Sequence, residues 1–318
     1  MSLTVRDLSV TYGSTVALDS LNLTIASGER FAIMGPSGSG KSSLLWAIAG
    51  IVPCSGSVII DGEDISQLPT HQRPIGLMFQ DYALFPHMNV ADNVAYGLRM
   101  QGMARSERME RARELLDLVG LGGFESRNAA TLSGGEQQRV ALARTLAPEP
   151  SVVMFDEPLG SLDSALRESL LDQMRHIVSD LGTTSLYVTH DRGEAFAFAD
   201  RLAVLVDGSV ARIGSPQEVW SDPGTVTVAR LIGHPNIVSD GLGSGAPLSL
   251  PVTAISRAPG GGHSGVVVET TFTDGRYRVT VALARSQDQV SFLTDDPPSV
   301  GAPITLSIDE KQAISLQP

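Results

Sequence analysis

The stretch GPSGSGKSS, residues 35–43, constrains the fold more than any other part of this sequence. It fits the pattern G-x4-G-K-[ST], and it lies between an apolar segment, ERFAIMG, and a helical segment, KSSLLWAIAG. A glycine-rich loop that joins a strand to a helix in this way is typical of a phosphate-binding loop. The chain is therefore predicted to hold a nucleotide phosphate at the first turn of this helix.

The residue types of the loop suit phosphate chemistry. Glycines let backbone N–H groups turn inward around the β-phosphate without clashes from Cβ atoms. Lys41 is predicted to reach the β- and γ-phosphates, Ser42 to ligate Mg²⁺ and Ser43 to contact the α-phosphate. The predicted nucleotide-binding residues of the loop are Gly35, Ser37, Gly38, Ser39, Gly40, Lys41, Ser42 and Ser43.

A second phosphate-site signal is SVVMFDEP, an apolar strand that ends in two acids. The carboxyl ends of strands in a parallel sheet face the ligand crevice, so Asp156 is expected near Mg²⁺. Glu157 is expected to point to the other side and polarise an attacking water, with a solvated strand-end acid as the alternative. The sequence contains no NKxD, which argues against a guanine-specific GTPase.

Strand-like and helix-like segments alternate over most of the chain, which predicts a largely parallel sheet covered on both faces. Two hairpins are predicted to turn at Asp61-Gly62 and Asp207-Gly208. Residues from about 88 to 148 are predicted to form a mostly helical insert. Helical spacing in that insert places four residues on or near one face of a helix: Leu115, Leu116, Leu118 and Val119.

The composition of the sequence changes after about residue 235. Two segments rich in Gly, Ser and Pro surround strand-like pieces, GVVVETTF, YRVTVALA, QVSFL and PITLSI. Neither Gly-rich segment joins a strand to a helix, so both are interpreted as loops and not as phosphate sites. We therefore predict two domains, a nucleotide-binding domain at 1–235 and a small all-β domain at 236–318.

Composition limits the classes of function. The 318 residues carry a net charge of −12, whereas a nucleic-acid binder normally has a basic surplus, so no nucleic-acid partner is expected. The N-terminus lacks the pattern of a secretory signal, and no apolar run approaches the roughly 18 residues needed to cross a bilayer. The single cysteine, Cys54, fits a reducing compartment. Any work at a membrane is expected to need other subunits that span it.

A second pair of glycines lies in LSGGEQQRVALAR, residues 132–144. Ser133 and Glu136 fit a capping box at a helix start. That interpretation leaves Gly134 and Gly135 unexplained, since glycine in a first turn costs up to roughly 1 kcal/mol relative to alanine. Close approach of a phosphate would explain them. Because the Lys41 loop occupies the near side of a nucleotide, this helix is expected to supply the far side, from another molecule.

With LSGGEQQR, which is similar to that family's signature motif, the chain resembles the ATP-binding-cassette ATPases over residues 1 to about 235. The resemblance implies an α/β P-loop NTPase fold with a helical subdomain and a β-subdomain. It also implies a head-to-tail homodimer that sandwiches ATP and Mg²⁺ between the phosphate loop of one subunit and the signature helix of the other. Ser133 and Gly135, with Gly134 between them, would then contact the γ-phosphate of the partner's ATP.

Further roles follow from the resemblance, each with a plainer alternative. Tyr12, in TYGSTVAL, matches the aromatic residue that stacks on adenine, or it is a core tyrosine at a strand end. Gln80 matches the glutamine that meets Mg²⁺ and the attacking water, which gives a predicted metal set of Ser42, Gln80 and Asp156. His190, in YVTHD, matches the histidine that contacts the γ-phosphate and positions Glu157, so that Glu157, His190 and Gln80 form the predicted catalytic set. Asp163, in GSLDSAL, matches a loop that couples the two sites, and it also suits a helix N-cap.

The segment DYALFPHMNVADNVAYGLR is similar to the surface of binding-protein-dependent importers that receives a short cytoplasmic helix of the membrane subunit. Tyr82, Leu84, Phe85 and Pro86 are the expected docking cluster, although core packing is an alternative for each. The all-β domain resembles the oligonucleotide-binding-like (TOBE) domain of such importers, where its expected role is dimer stabilisation or regulation.

The chain is thus identified as a member of the importer ATPases, at the cytoplasmic face of the membrane, served by permease subunits and indirectly by an extracytoplasmic substrate-binding protein. The alternatives are an exporter or lipoprotein-release cassette and a soluble cassette ATPase. The sequence leaves the substrate open among iron, polyamine, sulfate, molybdate, thiamine and sugar, with a preference for an inorganic ion or polyamine because the all-β domain is short. It also leaves open whether the permease is a homodimer or a heterodimer.

Overall fold

Residues 1–160, 163–239, 242, 245–286 and 288–318 are described by a computed structural model. The chain divides into two units, Met1–Pro216 and Gln217–Pro318. The domain boundary predicted at residue 235 lies further along the chain than this division, and it stays a prediction.

The first unit contains ten strands and seven α-helices within the described residues. In chain order the strands are β1 (Leu3–Tyr12), β2 (Thr15–Ile25), β3 (Arg30–Met34), β4 (Ser55–Ile60), β5 (Glu63–Asp64), β6 (Ile75–Met78), β7 (Val152–Asp156), β8 (Thr184–Thr189), β9 (Arg201–Val206) and β10 (Ser209–Gly214). The helices are α1 (Lys41–Ala49), α2 (Val90–Val94), α3 (Tyr96–Met100), α4 (Arg105–Leu118), α5 (Gly134–Leu146), α6 (Ser164–Asp180) and α7 (Arg192–Phe198).

A six-stranded sheet forms the centre of the first unit, in the order β10-β9-β3-β8-β7-β6. All its neighbouring strands pair in parallel except β10, which pairs antiparallel with β9. Every residue of β7 and β8 is buried, as expected for central strands covered on both faces. The prediction of a largely parallel sheet is confirmed.

A second sheet, with the order β2-β1-β4-β5, is antiparallel and completes the β-subdomain. Both predicted hairpin turns occur, between β4 and β5 and between β9 and β10. At each turn the aspartate and the glycine have positive φ, 49° and 84° at Asp61-Gly62 and 46° and 76° at Asp207-Gly208. Two successive left-handed residues match the right-handed twist of the paired strands, which explains the Asp-Gly sequence.

The helical insert holds α2 to α5, and one detail of the prediction for α4 is wrong. Leu115, Leu116 and Val119 are buried, whereas Leu118 is 42% exposed. Two positions after Leu116 in a helix of 3.6 residues per turn, Leu118 points to the opposite side. Four apolar residues within five positions spread over too wide an arc of the helix to face the core together. The core covers Leu115, Leu116 and Val119 and leaves Leu118 exposed.

The second unit is mainly antiparallel β structure, preceded by two short helices. The helices are α8 (Pro216–Ser221), which begins at the boundary, and α9 (Val226–Leu231). The strands are β11 (Asn236–Val238), β12 (Leu248–Leu250), β13 (Ile255–Arg257), β14 (His263–Thr273), β15 (Arg276–Leu283), β16 (Gln289–Thr294), β17 (Pro303–Ile308) and β18 (Ile314–Ser315). They form a three-stranded sheet, β11-β12-β18, and a five-stranded sheet, β13-β17-β14-β15-β16.

The four strand-like pieces predicted in this unit correspond to β14–β17, and their inward side chains form its core. The Gly-rich segment at 257–265 supplies the turn between β13 and β14. Part of the other Gly-rich segment, residues 240, 241, 243 and 244, lies outside the described residues. In the described part of the chain, none of the helices combines the length and the apolar character needed to cross a membrane.

Two leucines of α4 provide a matched test of the first unit's packing. Leu116→Ala should lower the free energy of unfolding by about 2–5 kcal/mol, because it leaves a cavity among buried side chains. Leu118→Ala makes the same chemical change on an exposed side chain, and its free energy of unfolding should stay within about 0.5 kcal/mol of wild type. Urea denaturation followed by far-UV circular dichroism measures both, and equal losses would contradict the packing of α4.

Candidate nucleotide-binding site

The phosphate loop lies between β3 and α1, and its two outer glycines are required by close backbone contacts. A Cβ atom at Gly35 would lie 2.2 Å from the carbonyl oxygen of Leu205, and one at Gly40 would lie 2.4 Å from that of Ala17. Gly40 also has a φ of 97°, in the left-handed region. The protein's own packing therefore explains these two glycines in addition to any approach of a phosphate. At Gly38 an added Cβ would meet no atom within 4 Å, so this side of the loop is open.

Lys41 begins α1 and is buried, with its ammonium group turned back over the loop. Nζ donates hydrogen bonds of 2.9 Å to the carbonyl oxygens of Gly35 and Pro36. Burial lowers the pKa of Lys41, and the nearby carboxylates of Glu157 and Asp156 oppose that effect. An ammonium group has three donors, so a third remains for a ligand held by the loop.

Two of the predicted metal ligands lie within a hydrogen bond of each other. The Ser42 hydroxyl donates to Asp156 Oδ1 at 2.9 Å. Asp156 is buried, which raises the pKa of its carboxyl, while the hydrogen bond from Ser42 lowers it. Hydroxyl and carboxylate oxygens are the ligand types that Mg²⁺ prefers, usually together with phosphate oxygens and water. Ser42 and Asp156 therefore fit a magnesium ion that a nucleotide brings with it.

The third predicted ligand, Gln80, is exposed at the end of the β6 segment. A Cβ atom added at Gly160 would lie 3.6 Å from Gln80 Nε2, so the amide lies beside the loop that follows Glu157. Across the described residues, no group of three or more His, Cys, Asp or Glu side chains is placed to hold a metal ion. The metal roles of Ser42, Gln80 and Asp156 stay predictions.

Glu157 and His190 form a hydrogen-bonded pair at the ends of β7 and β8. His190 Nδ1 lies 2.9 Å from Glu157 Oε2. Glu157 has a φ of 45°, and its backbone N–H donates to the carbonyl oxygen of Val188, so its side chain leaves the strand in a new direction. The Glu157 side chain is 20% exposed and that of His190 is 59% exposed. The structure thus brings together two of the three predicted catalytic residues, in reach of solvent.

Behind this pair lies a buried polar network that sequence reasoning missed. The Glu194 carboxylate accepts hydrogen bonds from Tyr187 Oη at 3.0 Å and from Thr189 Oγ1 at 2.7 Å. Burial raises the pKa of Glu194, and the two hydrogen bonds lower it. Because Thr189 and Asp191 flank His190, and Asp191 caps α7, the network fixes the backbone on both sides of the histidine. The sign of this network in the sequence is an acidic residue, Glu194, four positions after His190.

The signature segment forms the predicted capping box. Ser133 is the N-cap of α5, its N–H donates to Glu136 Oε2 at 2.7 Å, and its hydroxyl accepts from the Glu136 N–H at 3.4 Å. Gly135 is buried, and a Cβ atom there would lie 3.2 Å from Leu166 Cδ2 of α6. The fold thus supplies a packing reason for Gly135. The contacts of Ser133, Gly134 and Gly135 with a partner's ATP stay predictions.

The two remaining predicted contacts have clear positions. Tyr12 ends β1 and is 44% exposed, so it is not a core tyrosine, and its ring is accessible for stacking. Asp163 is the N-cap of α6, where its side chain accepts from the Leu166 N–H at 3.0 Å. The capping interpretation of Asp163 is therefore confirmed, while its role in coupling two sites stays a prediction. Ser161 and Leu162 of the same motif lie outside the described residues.

The expected docking cluster is partly buried, and the expectation for Tyr82 is wrong. Tyr82 is only 6% exposed, so it packs inside the protein and does not offer a surface. Leu84 and Phe85 are half-buried and Pro86 is exposed. The Phe85 ring lies 4.4 Å from that of Tyr96, centroid to centroid.

Two polar side chains hold the backbone of this segment. Asn93, which is fully buried, accepts a hydrogen bond from the Phe85 N–H and donates one to its carbonyl oxygen. Arg144 donates to the carbonyl oxygens of Tyr82 and Ala83. Tyr82 and Ala83 have φ values of 59° and 46°, a conformation that costs roughly 1–2 kcal/mol for each L-residue. Sequence reasoning missed both holding residues, because their hydrogen bonds go to backbone groups that the motifs around them do not identify.

The comparisons with known proteins agree with this geometry. A family model described as ABC transporter matches residues 18–160. The Fe(3+) ions import ATP-binding protein FbpC of Streptomyces avermitilis is 52% identical over 239 residues, which cover 75% of this chain and 69% of that protein. The protein of the same name in Escherichia coli K12 is 45% identical over 234 residues, 73% of this chain and 67% of that protein.

Solved structures give the same result. The dimeric structure of a post-hydrolysis state of the ATP-binding cassette MJ0796, bound to ADP and phosphate, is 33% identical with a TM-score of 0.60. It covers 67% of this chain and 98% of its own. A second dimeric structure of MJ0796, described as a bacterial ABC transporter cassette, is 35% identical with the same TM-score. The chain therefore belongs to the ABC transporter family, as an ATP-hydrolysing subunit.

Proposed function

We propose that the chain is the ATP-hydrolysing subunit of an importer for ferric ions. The observation that carries this proposal is the 45–52% identity, across about three quarters of the chain, to proteins named for ATP binding in Fe(3+) import. The ferric ion is cargo for membrane partners, and this chain needs no iron ligands of its own. Relatives with this name favour iron among the substrates that the sequence left open.

The site geometry supports a separate role for each of these groups in ATP hydrolysis. Lys41 and the loop N–H groups hold the phosphates, and Ser42 and Asp156, with Gln80, would hold Mg²⁺. Mg²⁺ supplies positive charge that neutralises the phosphate oxygens. Glu157 accepts a proton from the attacking water, and the hydrogen bond from His190 Nδ1 keeps its carboxylate in place. Positioning and charge stabilisation of this kind account for most of the catalysis in phosphoryl transfer.

A single chain completes only one half of such a site. The dimeric state named for both MJ0796 structures supports a homodimer, and a head-to-tail arrangement would bring Ser133, Gly134 and Gly135 to the partner's ATP. Ser133 is exposed and already caps α5, so its hydroxyl can serve the helix and a phosphate in turn. Tyr12 would stack on adenine, and Asp163 would lie near the dimer contact.

The membrane side of the function is also a proposal. The exposed part of the docking cluster, Leu84 to Pro86, suits contact with permease subunits at the cytoplasmic face of the membrane. An extracytoplasmic substrate-binding protein would deliver the ion to those subunits. The antiparallel second unit suits an oligonucleotide-binding-like regulatory domain, and the net charge of −12 argues against a nucleic-acid ligand.

Glu157→Gln tests the catalytic pair and the transport function together. The variant keeps the shape of the side chain and loses the base, so it should bind ATP normally while turnover falls by about 10²–10⁴-fold. Cells in which this variant replaces the wild-type chain should lose uptake of radioactive ferric ion but keep uptake of sulfate and polyamine. If turnover stays near normal, Glu157 is not the base. If cells whose ATPase variant is inactive still take up iron at the wild-type rate, iron is not the cargo.

Ser133→Arg tests the two-subunit site. The bulky cation should leave ATP binding to the monomer intact, because the phosphate loop of the same chain is unchanged. It should abolish ATP-driven dimerisation, measured by light scattering, and hydrolysis with it. Loss of ATP binding by the monomer would contradict a site that is shared between subunits.

A further inference from the structure

Arg144 lies in the last turn of α5 and holds the segment that follows Gln80. Its Nη1 atom donates to the carbonyl oxygen of Ala83 at 2.7 Å, and its Nη2 atom donates to that of Tyr82 at 2.6 Å. The guanidinium carbon also lies 5.8 Å from the centroid of the Phe85 ring. Three contacts therefore attach one side chain of α5 to the segment that follows Gln80 and includes part of the docking cluster.

The shape of this segment explains why an arginine is needed. Tyr82 and Ala83 are both left-handed, and their carbonyl oxygens accept from the same guanidinium group. Two carbonyl dipoles held side by side repel each other, and a planar fork with two parallel donors satisfies both at once. A lysine ammonium, as a point charge on a flexible stem, would not hold both carbonyls in one fixed geometry.

The other end of α5 carries Ser133, the residue proposed to contact the partner's ATP. The two residues lie 11 positions apart, which is about 16 Å along the axis of a regular helix. Eight residues of α5 are buried, so the helix is held firmly in its subdomain. A shift of the helix at its Ser133 end is therefore transmitted to the backbone at Tyr82 and Ala83, provided that the Arg144 hydrogen bonds hold.

We propose that Arg144 is a positioning residue that fixes the turn after Gln80 to the signature helix, so that Gln80 and the docking cluster move with α5. The inference rests on the proposed function, because it takes Ser133 as a contact to the partner's ATP and Gln80 as a contact to the attacking water. It adds a physical link between Ser133, Gln80 and the docking cluster. The link is the Arg144 side chain, which touches none of the reacting atoms.

Hydrogen–deuterium exchange on the full chain tests the link directly. The N–H groups of Tyr82 and Phe85 are hydrogen-bonded, to the Phe79 carbonyl oxygen and to Asn93 Oδ1. In Arg144→Met, which keeps an unbranched stem without the guanidinium donors, exchange in the peptide covering 80–86 should rise at least about tenfold, while the interior of α5 stays protected. Arg144→Lys keeps the charge and should restore only a small part of this protection.

Arg111→Met is the matched control. Arg111 lies in the same helical insert and pairs with Glu114 and Glu149, away from the turn after Gln80. The Arg111→Met variant removes an arginine that is half-buried, as Arg144 is. Exchange in the 80–86 peptide should therefore stay at the wild-type rate. Unchanged exchange in Arg144→Met, or full recovery in Arg144→Lys, would overturn the proposal.

Steady-state kinetics separates positioning from a merely structural role. Arg144→Met should lower kcat about tenfold with KM for ATP within about twofold, because the phosphate loop is intact and only the placement of Gln80 changes. Faster exchange in the 80–86 peptide with an unchanged kcat would show a structural contact alone and would overturn the proposal. The Glu157→Gln variant distinguishes the two proposals, since near-normal turnover would remove Glu157 as the base, and unchanged iron uptake without turnover would remove iron as the cargo, while neither outcome changes the exchange result for Arg144→Met.

Discussion

Parallel pairing of β3, β7 and β8 is the constraint on which the site depends. Met34 pairs with Thr189, and Asp156 pairs with Val188, so the three strands end within about one residue of each other. Each strand delivers its functional groups at or just past its last residue, at the same edge of the sheet. The phosphate loop, the Asp156–Glu157 pair and His190 therefore meet although long stretches of chain separate them. A slip of one residue in this register would turn the buried groups of β7 toward the opposite face.

Around this edge, short-range polar contacts fix the direction of each group. The Gly35 and Gly40 contacts set the path of the loop, and the Ser42–Asp156 hydrogen bond joins the loop to β7. Glu194, with its two buried donors, fixes the backbone beside His190. These contacts preorganise the groups that one chain contributes, as expected if a second copy completes the proposed site.

The sequence was informative where function is carried by contiguous residues. The phosphate loop, the strand-end acids, the capping box and the two Asp-Gly turns are local patterns with local causes, and all were found in the structure. Local patterns fail for residues whose position depends on the tertiary structure, namely Leu118, Tyr82, Glu194 and Arg144. Whether Leu118 and Tyr82 are exposed depends on what packs against them, and no periodic pattern contains that information. The contacts of Arg144 join segments about 60 residues apart, and those of Glu194 depend on how α7 packs against the end of β8. The sequence explained the glycines of the phosphate loop by the approach of a phosphate alone, whereas in the structure backbone packing also requires Gly35 and Gly40.

We propose that each active site takes its phosphate loop from one chain and its signature helix from another. Mixing two inactive variants, Lys41→Ala and Ser133→Arg, tests whether the site is shared between chains. In a head-to-tail dimer of the two variants, one site carries both defects and the other site carries neither. Single-turnover hydrolysis by purified mixed dimers should therefore recover to about half of the wild-type amplitude, because one of the two sites is intact. If verified mixed dimers hydrolyse no more ATP than the separate variants, the site lies within a single chain and the account is wrong.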